Sequence, residues 1–207
     1  MTRWAVCPDA VPVDAPADVF ISIDVEADGP VPGDFSMSSL GAVVAEPALD
    51  RTFYRELKPI TDRFVPEAAA VSKLDRAKLK AEGADPATAM REFAEWANAA
   101  AGRGRRPVAV CFNATFDWQF VNWYFHHFLG KNPFGISGLD IKALYMGALG
   151  LPRWGQTSKR NFDRTFLSGR PHSHNALDDA KEQAEIFLKV YLRALQNWKA
   201  PKGADPR

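Results

Sequence analysis

A run of strand-forming residues, Phe20-Ile21-Ser22-Ile23-Asp24-Val25-Glu26, ends in two acids set one residue apart. Side chains on a strand alternate between faces, so Ile21, Ile23 and Val25 share one face while Phe20, Ser22, Asp24 and Glu26 share the other. An all-apolar face demands a covering layer. The opposite face carries two carboxylates pointing the same way, roughly 6 to 7 Å apart. No Lys or Arg lies between Arg3 and Arg51, so solvent or a cation from elsewhere must compensate their repulsion. On its own this stretch reads as a strand running out into a wet, acidic turn.

The rest of the chain supplies the covering layers. Gly41-Ala42-Val43-Val44-Ala45 and Thr52-Phe53-Tyr54-Arg55-Glu56-Leu57 read as two further strands in antiparallel succession, after a Gly/Pro/Ser connection over 27–39. Asp85-Pro86 opens a helix with an apolar stripe at Met90, Phe93, Ala94, Ala97 and Ala101, ending near Gly102. A buried strand follows over 108–112, then a helix over 116–129, a short extended piece before Asp140, a helix over 141–149, a basic helix over 157–167 and a long helix over 175–198. Strands first, then alternating helices and strands, imply an α/β fold: a mixed five-stranded sheet with one antiparallel strand, flanked by helices. Residues 1–18 read as an irregular arm, 19–199 as one domain and 200–207 as a tail.

With 207 residues, of which 46% are hydrophobic, the chain has enough apolar material for one substantial core. Lys and Arg number 26 against 25 Asp and Glu, which excludes the global basic field of a long-duplex binder. Two cysteines, Cys7 and Cys111, exclude a disulfide framework and fit a reducing cytoplasm. No apolar h-region and no stretch of roughly 18 apolar residues is present, so neither export by that route nor membrane insertion is expected.

Two more acids bear on Asp24 and Glu26. Asp117, in Asn113-Ala114-Thr115-Phe116-Asp117, falls in the first turn of a helix, where the dipole favours an acid. In the last helix, Asp178 aligns with Glu182, Glu185 and Lys189, a solvated stripe. Asp179 aligns with Ala176, Gln183, Ile186 and Val190, so its carboxylate points into the body of the protein and needs a partner there.

Taken together, Asp24-Val25-Glu26, Asn113-Ala114-Thr115-Phe116-Asp117 and His174-x-Ala176-x-x-Asp179 resemble the three ordered motifs of the DEDDh, or DnaQ-like, 3′-to-5′ exonucleases, whose fold is ribonuclease-H-like. Asp140, in Leu139-Asp140-Ile141, also sits where such proteins often carry an acid before a helix. Asp28 replaces a common threonine, and Phe112 a common histidine.

The resemblance implies two Mg²⁺ or Mn²⁺ ions held by Asp24, Glu26, Asp117 and Asp179, since hard divalent ions prefer oxygen ligands. It makes His174, rather than nearby His172, the base that takes the proton of the attacking water. The implied reaction is hydrolysis at the 3′ end of single-stranded DNA or RNA, releasing nucleoside 5′-monophosphates. Candidate substrate contacts are the backbone of Ala27, Asp28 and Gly29, the side chains of Phe35, Met37 and Leu40, for which core packing is the alternative, and Asn113. Arg153, Trp154, Lys159, Arg160 and Arg164 are further candidates for phosphate contacts. The rival readings are a non-catalytic nucleic-acid-binding module on the same fold and a metal-dependent phosphatase. The sequence leaves monomer and homodimer both open.

Overall fold

In the computed structural model, the described residues are 18–170 and 173–197, without the side chains of Ala69 and Ala70. The expected N-terminal arm before Asp18, the tail at 200–207, Cys7 and His172 lie outside them. Five strands form one sheet in the order β3-β2-β1-β4-β5: β1 (Asp18–Ala27), β2 (Met37–Val44), β3 (Thr52–Glu56), β4 (Arg106–Cys111) and β5 (Leu139–Asp140). β2 runs antiparallel to β1 and β3, while β4 lies parallel to both β1 and β5, so β2 is the single antiparallel strand.

The alternation along β1 sorts two layers. Ile21, Ile23 and Val25 are buried with Met90, Phe93, Phe120 and Tyr124, that is, under α3 (Pro86–Ala101) and α4 (Ala114–Leu129). Each such side chain contributes roughly 1.5 to 3 kcal/mol by leaving water. On the other face Phe20 packs its ring against Phe187 and Tyr191, both at 5.0 Å, beneath α6 (Ala176–Asn197). Next to α6 lies α5 (Ile141–Leu149), whose Ile141 and Tyr145 share a core with Ile186, Phe187 and Val190. Asp24 and Glu26 therefore lie on the α6 face, at the end of β1.

One glycine sets how close α6 can come. Gly41 pairs with Asp24 across the β1–β2 ladder, and a Cβ there would lie 2.2 Å from the backbone carbon of Ala176. Glycine alone admits the first turn of α6 onto the sheet at this point.

Three differences from the sequence reading have local causes. The expected basic helix over 157–167 is absent; two short 3₁₀ turns, Trp154–Thr157 and Lys159–Asn161, stand at its start. Side chains there bond nearby backbone instead of leaving it to helical pairing: Asn161 to the Gly155 carbonyl, Thr157 to the Trp154 carbonyl and Asp163 to the Thr165 amide. Two helices had no forecast, α1 (Pro66–Ser72) and α2 (Arg76–Glu82). Both have seven residues and lie largely exposed, so they show no apolar stripe, and the Asp75 cap of α2 was the available signal. Finally, β2 starts at Met37, inside the stretch read as a loop.

Candidate active site

The four acids converge at the ends of β1, α4 and α6. Asp24 and Glu26 arrive on alternate residues of β1. Asp117, in the first turn of α4, is 4% exposed and accepts a hydrogen bond from the Val25 amide at 3.1 Å, which locks α4 to β1. Asp179, 1% exposed in the first turn of α6, accepts from the amides of Ser173 at 2.9 Å and His174 at 3.0 Å. These bonds hold His174 in a left-handed conformation (φ 57°), an uncommon state for a residue with a side chain. Ligand atoms of Glu26, His174 and Asp179 all lie within 4.8 Å of one another.

The electrostatics of Asp24, Glu26 and Asp117 follow mainly from burial. Burial, and after it the carboxylates of Asp117, Glu26 and Asp179, push Asp24 well above the usual carboxylate range, against a bond from Gln183 that favours its charged form. Burial, with Asp179 second, raises Glu26 to about 7. Asp117 also rises to about 7, mainly through burial, although the Val25 amide opposes this. Lys159 is the single cation lining the cleft among the described residues, and its ammonium is 2.6 Å from Glu182, itself buried. Oxygen donors crowded in a cleft, three of them with raised carboxyl pKa values, fit a hard divalent cation.

The cleft has a volume of about 260 Å³, small for a ligand pocket, and Phe112, Asn113 and Phe116 line its apolar side. Asn113, left-handed at φ 73°, turns the chain from β4 into α4, and its side-chain oxygen accepts from Lys142 at 3.3 Å. Asp140 stands behind the site: it accepts from the Ala114 amide at 2.6 Å and the Ala143 amide at 2.7 Å, capping α4 and α5 together.

Several expected substrate contacts are not available. Met37 and Leu40 have no exposed surface and belong to the core under α3 and α4, so they have no face for a base. Asp28 is buried too; its amide donates to the Ser36 carbonyl at 2.8 Å, its own carbonyl accepts from Val65 at 2.7 Å, and its carboxylate pairs with Arg76 at 3.0 Å. Ala27 is buried in the β1–β2 ladder opposite Met37. Phe35 is half-buried, lying over Gly29 with the Arg63 guanidinium 5.1 Å from its ring. None of these six lines the cleft, whereas Asn113 does.

Two further features escaped the sequence. Gln183, expected only as part of an inward stripe, donates to Asp24 at 2.5 Å and accepts from the Phe112 amide at 2.8 Å, tying α6 to β1 and to the turn that follows β4. The stripe expected to be solvated is so only at Asp178: Glu182 binds Lys159, Glu185 binds Arg170, and Lys189 donates to the Leu167 carbonyl at 2.5 Å. That stripe anchors the segment before α6, whose apolar Phe162 and Phe166 give it a second attachment.

No protein-family model matches the chain. A curated Escherichia coli protein, the 3′-5′ DNA exonuclease Cap18, is 44% identical over 174 residues, spanning 84% of this chain and 91% of the relative. Among solved structures, the nuclease domain of 3′hExo, described as a DEDDh family member bound to rAMP, superposes with a TM-score of 0.66 at 17% identity, covering 84% of this chain and 92% of that one. E. coli exonuclease I in complex with a dT13 oligonucleotide gives a TM-score of 0.62 at 14% identity; the match covers 87% of this chain but 42% of that longer protein. The structural likenesses establish the ribonuclease-H-like exonuclease fold. Since 44% identity across nearly the whole of a relative is far more than a shared fold requires, the chain belongs to the DEDDh family of 3′-to-5′ exonucleases.

Proposed function

We propose that this protein uses two divalent ions to remove nucleoside 5′-monophosphates from single-stranded DNA 3′ ends, working in the cytoplasm. The observation that carries this reading is the convergence of Asp24, Glu26, Asp117 and Asp179 in one cleft, with the carboxyl pKa values of Asp24, Glu26 and Asp117 raised and Lys159 of the lining already paired with Glu182. DNA is preferred over RNA because the 44% identical relative is named a DNA exonuclease. Two cysteines in 207 residues support a reducing compartment.

The four carboxylates would hold two Mg²⁺ or Mn²⁺ ions, which supply Lewis-acid stabilisation to the attacking and leaving oxygens of an in-line displacement. Around them, the chain's own residues bind, orient and move a proton. Asn113 and Phe116 receive the terminal nucleotide, one by hydrogen bond and the other by its ring. Water attacks the phosphorus, an imidazole nitrogen of His174 takes its proton, and the bond to the 3′ oxygen of the penultimate nucleotide breaks. Asp179, through the His174 amide, fixes the backbone from which the imidazole projects, and Gln183 fixes the rotamer of Asp24.

Incubation with Mg²⁺ and matched 5′-labelled DNA and RNA oligonucleotides tests the proposal. A descending ladder with 5′-monophosphate products, faster on DNA and lost in Asp24→Ala and Asp179→Ala, is the expected result. Loss of label without shortening would establish a phosphatase, and intact but bound oligonucleotide a binding module.

A further inference from the structure

Beside the cleft, and outside its lining, stands an exposed indole. Trp154 is 50% exposed, the most exposed tryptophan among the described residues. A single exposed apolar residue is ordinary. What singles Trp154 out is its tie to the cleft: the Lys142 ammonium lies 4.5 Å from the indole centroid and 3.3 Å from the side-chain oxygen of Asn113, which lines the cleft wall. Phe64, comparably exposed at 49%, has a structural use, since its ring carries the Arg76 that braces Asp28.

The backbone under Trp154 is fixed in advance. Its carbonyl accepts from Thr157 at 2.7 Å, the Gly155 carbonyl accepts from Asn161 at 2.8 Å, and the Arg153 amide donates to Gln156 at 3.1 Å. Arg153, Arg160 and Arg164 are exposed on the same segment, with Asp163 the single acid between 150 and 170. An exposed, pre-positioned aromatic ring among cations has the composition of a sequence-tolerant single-strand binding surface.

Resting on the exonuclease reading above, we propose that Trp154 is a stacking platform for a base of the single strand immediately 5′ of the terminal nucleotide, with Lys142 holding the adjoining phosphate. The cleft is small and takes the reacting nucleotide. A strand has one direction in which to leave an exonuclease site, so a ring at the mouth meets upstream bases. The platform grips without reading sequence, because every base has a π face.

The test crosses two changes: Trp154→Ala in the protein, and an abasic residue at the second or third position from the 3′ end of a 5′-fluorescein DNA decamer. Either change alone should lower kcat/KM by roughly 5- to 100-fold, the usual worth of one stacked base. Both together should cost no more than one, and Trp154→Phe should restore most of the loss. Multiplying losses at both positions, or no loss on Trp154→Ala, would overturn the platform. Lys142→Ala should weaken binding of every decamer alike and reduce the slope of log affinity against log salt by about 1. Failure of the wild type to shorten any oligonucleotide would count against the exonuclease reading. In that event the same four pairings, measured by fluorescence anisotropy, decide the platform separately.

Discussion

Asp24 and Asp28 lie four residues apart on the same stretch of chain, both buried, and the protein treats them in opposite ways. Asp28 has its cation built in: Arg76 binds it at 3.0 Å, bonds the Thr61 carbonyl with the same guanidinium and rests on Phe64. Asp24 has three carboxylates for neighbours and an amide, Gln183, for support. A buried acid paired by the fold is a brace, and removing its partner leaves a charge stranded. A buried acid left unpaired keeps the fold under electrostatic stress until positive charge arrives from outside. The contrast separates architecture from site more sharply than burial does, since both acids are buried.

The largest expected effect comes from Asp24→Asn, which should lower exonuclease activity by roughly 10³-fold or more, because metal-ion stabilisation is worth several kcal/mol of barrier. The same variant, free of divalent ions, should melt about 2 to 4 °C higher, as about 1 kcal/mol of repulsion is relieved. A lower melting temperature by calorimetry would break the comparison. His174→Ala should cost roughly 10² to 10⁴ in kcat while ion-induced stabilisation persists, measured by single-turnover cleavage and melting in parallel.

Arg76→Ala should act in the opposite sense to Asp24→Asn, lowering stability by about 3 kcal/mol through the stranded Asp28. Chemical denaturation measures that loss, and retention of wild-type stability would show that Asp28 is not braced as described. A pH dependence follows from the same contrast. Glu26 and Asp117 hold their protons up to about 7 in the fold, above their ordinary carboxylate values. The folded state therefore binds more protons than the unfolded chain between about pH 4.5 and 7, and stability falls as pH rises through that window. With chelator present, the melting temperature should decline from pH 5 to 7 and level off by 8. Added Mn²⁺ should recover more of it at pH 8 than at pH 5.

What the sequence disclosed was whatever a local period encodes. Alternation in β1 put Asp24 and Glu26 on one face, and the 3.6-residue repeat of α6 turned Asp179 inward, as Ala176, Gln183 and Ile186, all buried, attest. Position alone placed Asp117 in a first helical turn. Contacts between distant segments were not encoded in this way. Gln183 reads as one more inward residue until α6 lies beside β1, and Glu182 reads as solvated until Lys159 meets it. Met37 and Leu40 admitted two readings, base contact or core packing, and they are core; their burial depends on helices at 86–101 and 114–129, far along the chain. The basic stretch near Lys159 misled because helical composition was outweighed by side chains that bond their own backbone.

The seat that Gly41 leaves for the first turn of α6 also orders events in time. The bond from Gln183 to Asp24 spans 159 positions, so β1 and β2 leave the ribosome long before α6 exists to meet them. Closing a loop of that length is entropically costly and comes late among folding steps. A nascent chain that stops short of α6 carries Asp24, Glu26 and Asp117 but neither His174 nor Asp179. The acid cluster is thus a late product of folding, incomplete until α6 settles on the seat at Gly41.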